Sequence, residues 1–322
     1  MSLETLYQPV QDDFTRVNQL IAEQLGSDVP LVEQIGHYIV DSGGKRLRPL
    51  LVLLSARALG YQDQGHQRLA TVIEFLHTAT LLHDDVVDTS DLRRGRTTAN
   101  ARWGNAPSVL VGDFLYSRAF QMMVSLGSLP IMKVLSDATA VIAEGEVMQL
   151  VNVKNPDLTE AQYLQVIHSK TAMLFQAAAQ SGAMLAGATP AQEQALADYG
   201  QRLGMAFQLV DDVLDYRGDA STMGKNLGDD LAEGKATLPL IQAMKTASAA
   251  DSKLIRNAIR QGGLEHLDTI CAVVESSGAL DYTLNKAKAA AEQAGEAIQD
   301  LPDSPFKTSL TELISLSVAR VS

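Results

Sequence analysis

Apolar residues recur at helical spacing along nearly the whole chain. Val10, Phe14, Val17, Ile21 and Leu25 fall at i, i+4, i+7, i+11 and i+15, and Gly26 follows them as a stop signal. Val72, Phe75, Leu76, Ala79 and Val86 make a second stripe; Leu196, Tyr199, Leu203, Phe207, Val210 and Leu214 make a third. Each stripe puts its apolar groups on one side of a helix, where they can be buried together. No stretch alternates apolar and polar residues between hairpin turns, so no strand is expected. Breaks rich in Gly, Pro and Asp fall at 26–30, 41–49, 88–107, 127–130, 152–156, 187–190, 217–238, 262–263 and 300–305. None is long enough for a linker, and no low-complexity run divides the chain. The expectation is an all-α protein in which residues 1–322 form one large multi-helix bundle.

Composition narrows the function classes. Hydrophobic residues are 46% of the 322, enough for a sizeable core, and aromatics only 5%, which suits packed helices better than sandwiched strands. The formal net charge is −12, from 38 acidic against 26 basic residues, which argues against nucleic-acid binding and electrostatic membrane docking. One cysteine, Cys271, excludes an intramolecular disulfide and a cysteine-cluster metal site, and reads best as a small buried residue. That usage fits a reducing cytoplasm. Met1–Asp13 lacks a basic region followed by an apolar run, so no secretory signal is expected. The densest apolar stretch, 50–59, is short and carries Arg57, which argues against a transmembrane segment.

Two aspartate clusters stand out. Asp84-Asp85-Val86-Val87-Asp88 and Asp211-Asp212-Val213-Leu214-Asp215 are both DDxxD, with the first and last carboxylates one helical turn apart. Like charges at that spacing destabilise a helix, and so do acids at a helix C-terminus. A solvated acidic face would account for one such cluster. Two, each following a strongly apolar helix, point instead to a hard cation such as Mg²⁺, which takes carboxylate, water and phosphate oxygens. Gln208 and His77 extend the polar stripes up these helices before the walls become apolar, a profile for an anionic head with a hydrocarbon tail.

Cations gather near the acids. Arg93 and Arg94 follow the first cluster; Lys225 and Lys235 follow the second; Lys45, Arg46 and Arg48 lie in a glycine-rich turn, Gly43-Gly44-Lys45-Arg46-Leu47-Arg48-Pro49, entering a helix. Guanidinium and ammonium groups of this kind grip diphosphate oxygens. Neither a Walker-type loop nor a GxGxxG turn is present, so nucleotide use is not indicated.

These motifs, with Lys170-Thr171 and Gly234-Lys235-Ala236-Thr237-Leu238-Pro239, resemble in order and over roughly residues 40 to 240 those of the trans-polyprenyl diphosphate synthases, especially bacterial long-chain members. The resemblance implies an isoprenoid-synthase helical bundle with a central active-site cavity, a homodimer, and Mg²⁺ as cofactor. It implies that Asp84, Asp88 and Asp211 bind metal with Asp85, Asp212 and Asp215 in support. Arg93, Lys170, Thr171, Gln208, Lys225 and Lys235 would hold the allylic diphosphate, farnesyl diphosphate by expectation. Lys45, Arg48, His77 and Arg94 would hold isopentenyl diphosphate. Successive condensations by ionisation, attack and proton elimination would follow.

Ala79 and Thr80, one turn above the first aspartates, are small where short-chain relatives commonly carry an aromatic residue. A deeper tail is therefore expected, with a product beyond C20 and C40 favoured, suited to a quinone side chain. Met123, with Met122, is a candidate tunnel floor, although ordinary core packing explains these methionines equally well. Three other classes compete. An inactive partner subunit would usually have lost aspartates. A His-Asp phosphohydrolase, suggested by His83-Asp84, needs more metal-binding histidines than the six scattered here. A terpene cyclase needs no second diphosphate site of the Lys45, Arg48 and Arg94 kind.

Overall fold

The computed structural model describes residues 3–217 and 227–319. Among the described residues the α-helices up to the one that carries the second aspartate cluster are α1 Leu3–Tyr7, α2 Gln11–Gln24, α3 Pro30–Val40, α4 Leu47–Ala58, α5 Gly65–Val87, α6 Ala99–Trp103, α7 Asn105–Ser125, α8 Leu129–Val151, α9 Glu160–Ile167, α10 Met173–Leu185 and α11 Pro190–Arg217. Beyond it run Asp229–Ala232, Leu238–Thr246, Ala249–Gln261, Leu267–Ser276, Ala279–Ala297 and Pro305–Ala319. The all-α expectation holds, and most of the predicted breaks fall between helices or just inside their first turns; the break expected at 88–107 contains α6, and the one at 217–238 contains Asp229–Ala232 and in part lies outside the described residues. A break at 59–64, between α4 and α5, was not foreseen.

The expectation of no strand needs one correction. Leu92–Arg93 (β1) and Arg96–Thr97 (β2) pair antiparallel around Arg94-Gly95. Both turn residues have positive φ, 53° and 72°, the backbone of a two-residue hairpin turn. Strands of two residues are too short to show alternation in sequence.

The chain divides into two compact units. The first comprises the stretch up to Thr139, Leu174–Gly200 and Ala297–Leu313; the second comprises Ala140–Met173, Gln201–Glu296 and the stretch from Ile314.

In the first unit α4 is apolar on every side, with Leu50, Leu51, Val52, Leu53 and Leu54 fully buried, so it is a core helix rather than an amphipathic one. Helices α5 and α7 run antiparallel: Ser108 Oγ donates to the Leu82 carbonyl at 3.1 Å, and Arg68 Nη1 donates to the Ser125 carbonyl at 3.4 Å. Gly112 lets them approach closely, since a Cβ there would lie 2.4 Å from His83 Nε2. The α2 helix is tied to both α4 and α5 through buried Asp13. Its carboxylate accepts from Arg57 Nε and Nη2 at 2.8 and 2.9 Å and from Gln67 Nε2 at 2.7 Å, and His66 Nε2 lies 2.9 Å away.

The second unit has its own core, in which Val210 and Val213 of α11 pack with Leu238, Ile241, Ile255 and Ile270. No helix among the described residues is long and apolar enough to cross a membrane.

Candidate active site

The first unit carries the first aspartate cluster and most of the arginines. Asp84 and Asp85 sit in the last turn of α5 and Asp88 caps it, its N–H donating to the Asp84 carbonyl at 2.8 Å. Asp84 and Asp88 are partly exposed, whereas Asp85 is fully buried. The buried carboxylate has a dedicated cation: Arg93, on β1, approaches Asp85 Oδ1 with Nε at 2.8 Å and Nη2 at 2.7 Å. Burial pushes the Asp85 carboxyl up from its ordinary range, and Arg93 pulls it back. The hairpin is thus what brings Arg93 to the aspartates. It is pinned in turn by Tyr38, whose hydroxyl donates to the Thr97 carbonyl at 2.6 Å and whose ring lies under Arg96.

The hairpin turn presents Arg94 to the glycine-rich loop. Gly43 and Gly44 have φ of 83° and 138°, and a Cβ on Gly44 would lie 2.6 Å from Arg94 Nη1, so the missing side chain is what admits the guanidinium. Lys45 and Arg94 are exposed there, with Arg46 and Arg48 half-buried beside them. Arg48 stacks on the Phe175 ring at 4.3 Å and places Nη1 3.1 Å from His77 Nε2. Arginine can only donate, so Nε2 is the acceptor and the imidazole is neutral, with its proton on Nδ1. The same state follows from charge: burial, then Arg48 and Arg94, hold the His77 pKa well below its ordinary value. Just beyond it Ala79 is fully buried, and the Thr80 hydroxyl is turned back onto the His77 carbonyl at 2.7 Å. Met123 is buried on α7.

His83 faces the neighbouring helix. Its Nε2 turns toward α7, 3.3 Å from Asp113 Oδ1 and 3.2 Å from the Val109 carbonyl.

The second unit carries the other cluster, in the last two turns of α11. Asp212 and Asp215 are buried and Asp211 is partly exposed. Asp212 accepts from the buried Tyr163 hydroxyl and from Gln208 Nε2 at 2.9 Å, and Gln208 Oε1 accepts from the Thr171 hydroxyl at 3.0 Å. Burial raises the Asp212 carboxyl well above its ordinary range, and Asp230 pushes the same way. Asp215 accepts from the Asp230 N–H at 3.3 Å, which fastens the Asp229–Ala232 turn to the cluster.

Lys170 and Thr171 lie in a five-residue π-helical turn, His168–Ala172, between α9 and α10. Such widened turns are frequent at functional sites. This one packs against α8 at Gly145, where a Cβ would come within 2.8 Å of Ser169 Cβ. Lys170 Nζ pairs with Glu146 at 2.7 Å, and Lys235 pairs with Glu233. With its amide turned so that oxygen faces the cations, Gln149 lies 3.2 Å from Lys170 Nζ and 3.3 Å from Lys235 Nζ, bridging the two. Lys225 lies outside the described residues.

Asp230, Tyr163, Glu146 and Gln149 were not foreseen. A signal existed for the last two: Gly145 in the middle of a helical run marks a close approach. Each cluster by itself offers donors that suit a hard divalent cation. Asp84 and Asp88 in the first unit, and Asp211 in the second, are partly exposed and offer only oxygen, and no group of three or more acids, histidines or cysteines among the described residues could hold a metal alone. Carboxylates so few in number need water and ligand phosphate to complete a coordination sphere.

Comparison with known proteins agrees with this chemistry. The family model described as polyprenyl synthetase matches residues 29–275. The chain is 55% identical over 321 residues to an octaprenyl diphosphate synthase of Haemophilus influenzae, covering 99% of this chain and 98% of that one. Its fold is similar to a polyprenyl synthase from Caulobacter crescentus complexed with calcium and isoprenyl diphosphate, with a TM-score of 0.96, 44% identity, and coverage of 100% and 98%. It is also similar to a decaprenyl diphosphate synthase from Rhodobacter capsulatus, with a TM-score of 0.94, 44% identity and full coverage of both chains.

Proposed function

The chain belongs to the polyprenyl synthetase family and is a prenyltransferase, and from that premise we propose a long-chain synthase that adds isopentenyl diphosphate units head-to-tail to farnesyl diphosphate, ending at C40 octaprenyl diphosphate. One observation carries the reading. Within the first unit an oxygen-only carboxylate pair, Asp84 and Asp88, stands beside a separate cradle of Lys45, Arg48 and Arg94. Condensation of two diphosphates calls for two such head-group sites of different chemistry.

We assign Asp84, Asp88 and Asp211 as ligands of a divalent metal, magnesium in this reading. A divalent cation bound there supplies charge neutralisation to the diphosphate that leaves the allylic carbon. Asp85 positions Arg93; Asp212 and Asp215 brace the second cluster. Arg93, Lys170, Thr171, Gln208, Lys225 and Lys235 bind the oxygens of the allylic diphosphate. As its C–O bond breaks, these donors stabilise the growing negative charge. Lys45, Arg48, Arg94 and neutral His77 hold isopentenyl diphosphate. Its double bond forms the new C–C bond with the allylic carbon, and the proton then lost goes to the released diphosphate. Apolar walls keep water from capturing the cation as an alcohol.

The 55% identity to an octaprenyl diphosphate synthase favours a C40 product over the longer one named for the 44% neighbour. Ala79, Thr80 and Met123 are the residues we assign to chain length. The chain works as one catalytic domain in the cytoplasm, supplying quinone side chains. It pairs with a second copy, supported by Val147, Leu150 and Val151, which leave an exposed apolar strip on α8.

Farnesyl diphosphate, labelled isopentenyl diphosphate and Mg²⁺ test this, with products sized by chromatography for the wild type and Asp84→Ala. A metal-dependent ladder ending near C40 and lost in the variant is expected. Failure to condense with any allylic starter would refute it.

A further inference from the structure

Glu74 stands on α5 one turn before His77, among charges that the reaction scheme leaves unexplained. Its Oε2 is buried and has no hydrogen-bond partner, while its Oε1 lies 3.8 Å from Arg46 Nε. A carboxylate in that position is held by charge rather than by hydrogen bonds. The charges are at hand. Burial pushes the Glu74 carboxyl up from its ordinary range, and Arg46, Arg48 and Arg94 each pull it back. The dependence is mutual: Glu74 is the leading charge that supports the Arg94 guanidinium.

The arginines have fixed seats. Arg46 enters α4 with a left-handed backbone, φ 42°, and donates to Asn18 Oδ1 and, at 3.4 Å, to the Val40 carbonyl. Arg48 is stacked on Phe175 and donates to His77, and Arg94 rests against Gly44. Three guanidinium groups gathered this closely repel one another when no anion is bound. Glu74 is the carboxylate that acts on all three.

We propose that Glu74 is a positioning residue, whose buried carboxylate is the resident counter-anion that, with Arg46 beside it, keeps Arg48 and Arg94 arranged to receive the diphosphate of isopentenyl diphosphate. This rests on the assignment of that cradle under Proposed function. The carboxylate lies on the inner side, and exposed Lys45 and Arg94 lie on the outer side where a ligand arrives. Glu74 therefore acts through the arginines without touching substrate.

The test is steady-state kinetics of the full chain with farnesyl and isopentenyl diphosphates, each varied in turn, for wild type, Glu74→Gln and Glu74→Asp. Glutamine keeps the shape and removes the charge; aspartate keeps the charge but withdraws it by one methylene. The KM for isopentenyl diphosphate should rise about tenfold in Glu74→Gln and by an intermediate factor in Glu74→Asp, with much smaller changes in kcat and in the KM for farnesyl diphosphate. A residue that merely packs would leave this split absent. An unchanged or lower KM for isopentenyl diphosphate in Glu74→Gln, or equal values in the two variants, overturns the proposal. If Glu74→Gln does not fold by circular dichroism, Glu74→Asp decides: a selective rise supports the role and none removes it. Absent condensation in the wild type would instead overturn the functional reading itself.

Discussion

Replacing Ala79 by tyrosine separates a channel from a solid core. Ala79 is fully buried on α5, five residues before Asp84 and nine before Asp88. At 1.5 Å per residue it lies about 13 Å above the end of the aspartate cluster. Four C–C bonds in zigzag give roughly 5 Å per isoprene unit, so a ring at this level would stop a straight chain after about three units. The α5–α7 pairing of Leu82 with Ser108 and of Arg68 with Ser125 puts Met123 near the level of residue 70, about 27 Å from Asp88 by the helix rise, or between five and six units. A tail that passes Ala79 freely would thus reach the Met123 region before C40 and must bend or pass it. If space borders Ala79, the Tyr ring fills it at little cost, and products end at C15 to C20 with a nearly unchanged Tm. If Ala79 lies in close-packed core, overpacking costs about 1–3 kcal/mol, a fall in Tm of about 2–12 °C. Product chromatography and a thermal melt on the same preparation give both readings. A clear fall in Tm with the parental chain length would refute the placement of the tail along α5.

Arg93→Ala should strand the buried Asp85 carboxylate and cost about 3–5 kcal/mol at neutral pH. Burial already raises the folded pKa of Asp85, and loss of Arg93 raises it further. A raised carboxyl favours the fold at low pH and loses that contribution as pH climbs through its folded pKa, so urea melts should show a smaller deficit at pH 5 than at pH 8. Asp13 shifts the opposite way: burial pushes its carboxyl up, but His66, Arg57 and Gln67 outweigh this and hold it below the usual range. Its contribution is present above the ordinary carboxylate pKa and lost as pH falls toward the depressed value, so Asp13→Asn should lower stability at pH 7 and flatten the acid limb of a stability–pH curve. Tyr163→Phe removes a donor from buried Asp212, and should cost about 1–3 kcal/mol in denaturant titration while lowering condensation activity.

Helical period and glycine or proline punctuation were enough to read the all-α class and most helix boundaries, because those signals are local. The hairpin was not legible. Its strands are two residues long, and its turn puts an arginine at φ 53°, where propensity favours Asn or Gly. The aspartates were legible because their spacing is local and occurs twice. Their partners were not: Tyr163 is 49 positions from Asp212, and Glu74 is 28 from Arg46. No period connects such pairs; only the packing of one helix on another does.

The legible and the hidden residues have different physical roles. Residues offered to ligands are charged, clustered and partly exposed, so they stand out from their surroundings in sequence. Most of their countercharges belong to no motif that sets them apart in sequence. Arg93 has Asp85, Lys170 has Glu146, Lys235 has Glu233, and Arg46 has Glu74. Part of the −12 net charge is therefore committed to holding cations in place rather than spread over solvent. A cation so held need not be ordered when the diphosphate arrives, which reduces the reorganisation that binding and ionisation would otherwise require. The acidic balance of this chain and the anionic substrates proposed for it are then parts of one arrangement, in which paired carboxylates keep the cations assigned to phosphate in position between turnovers.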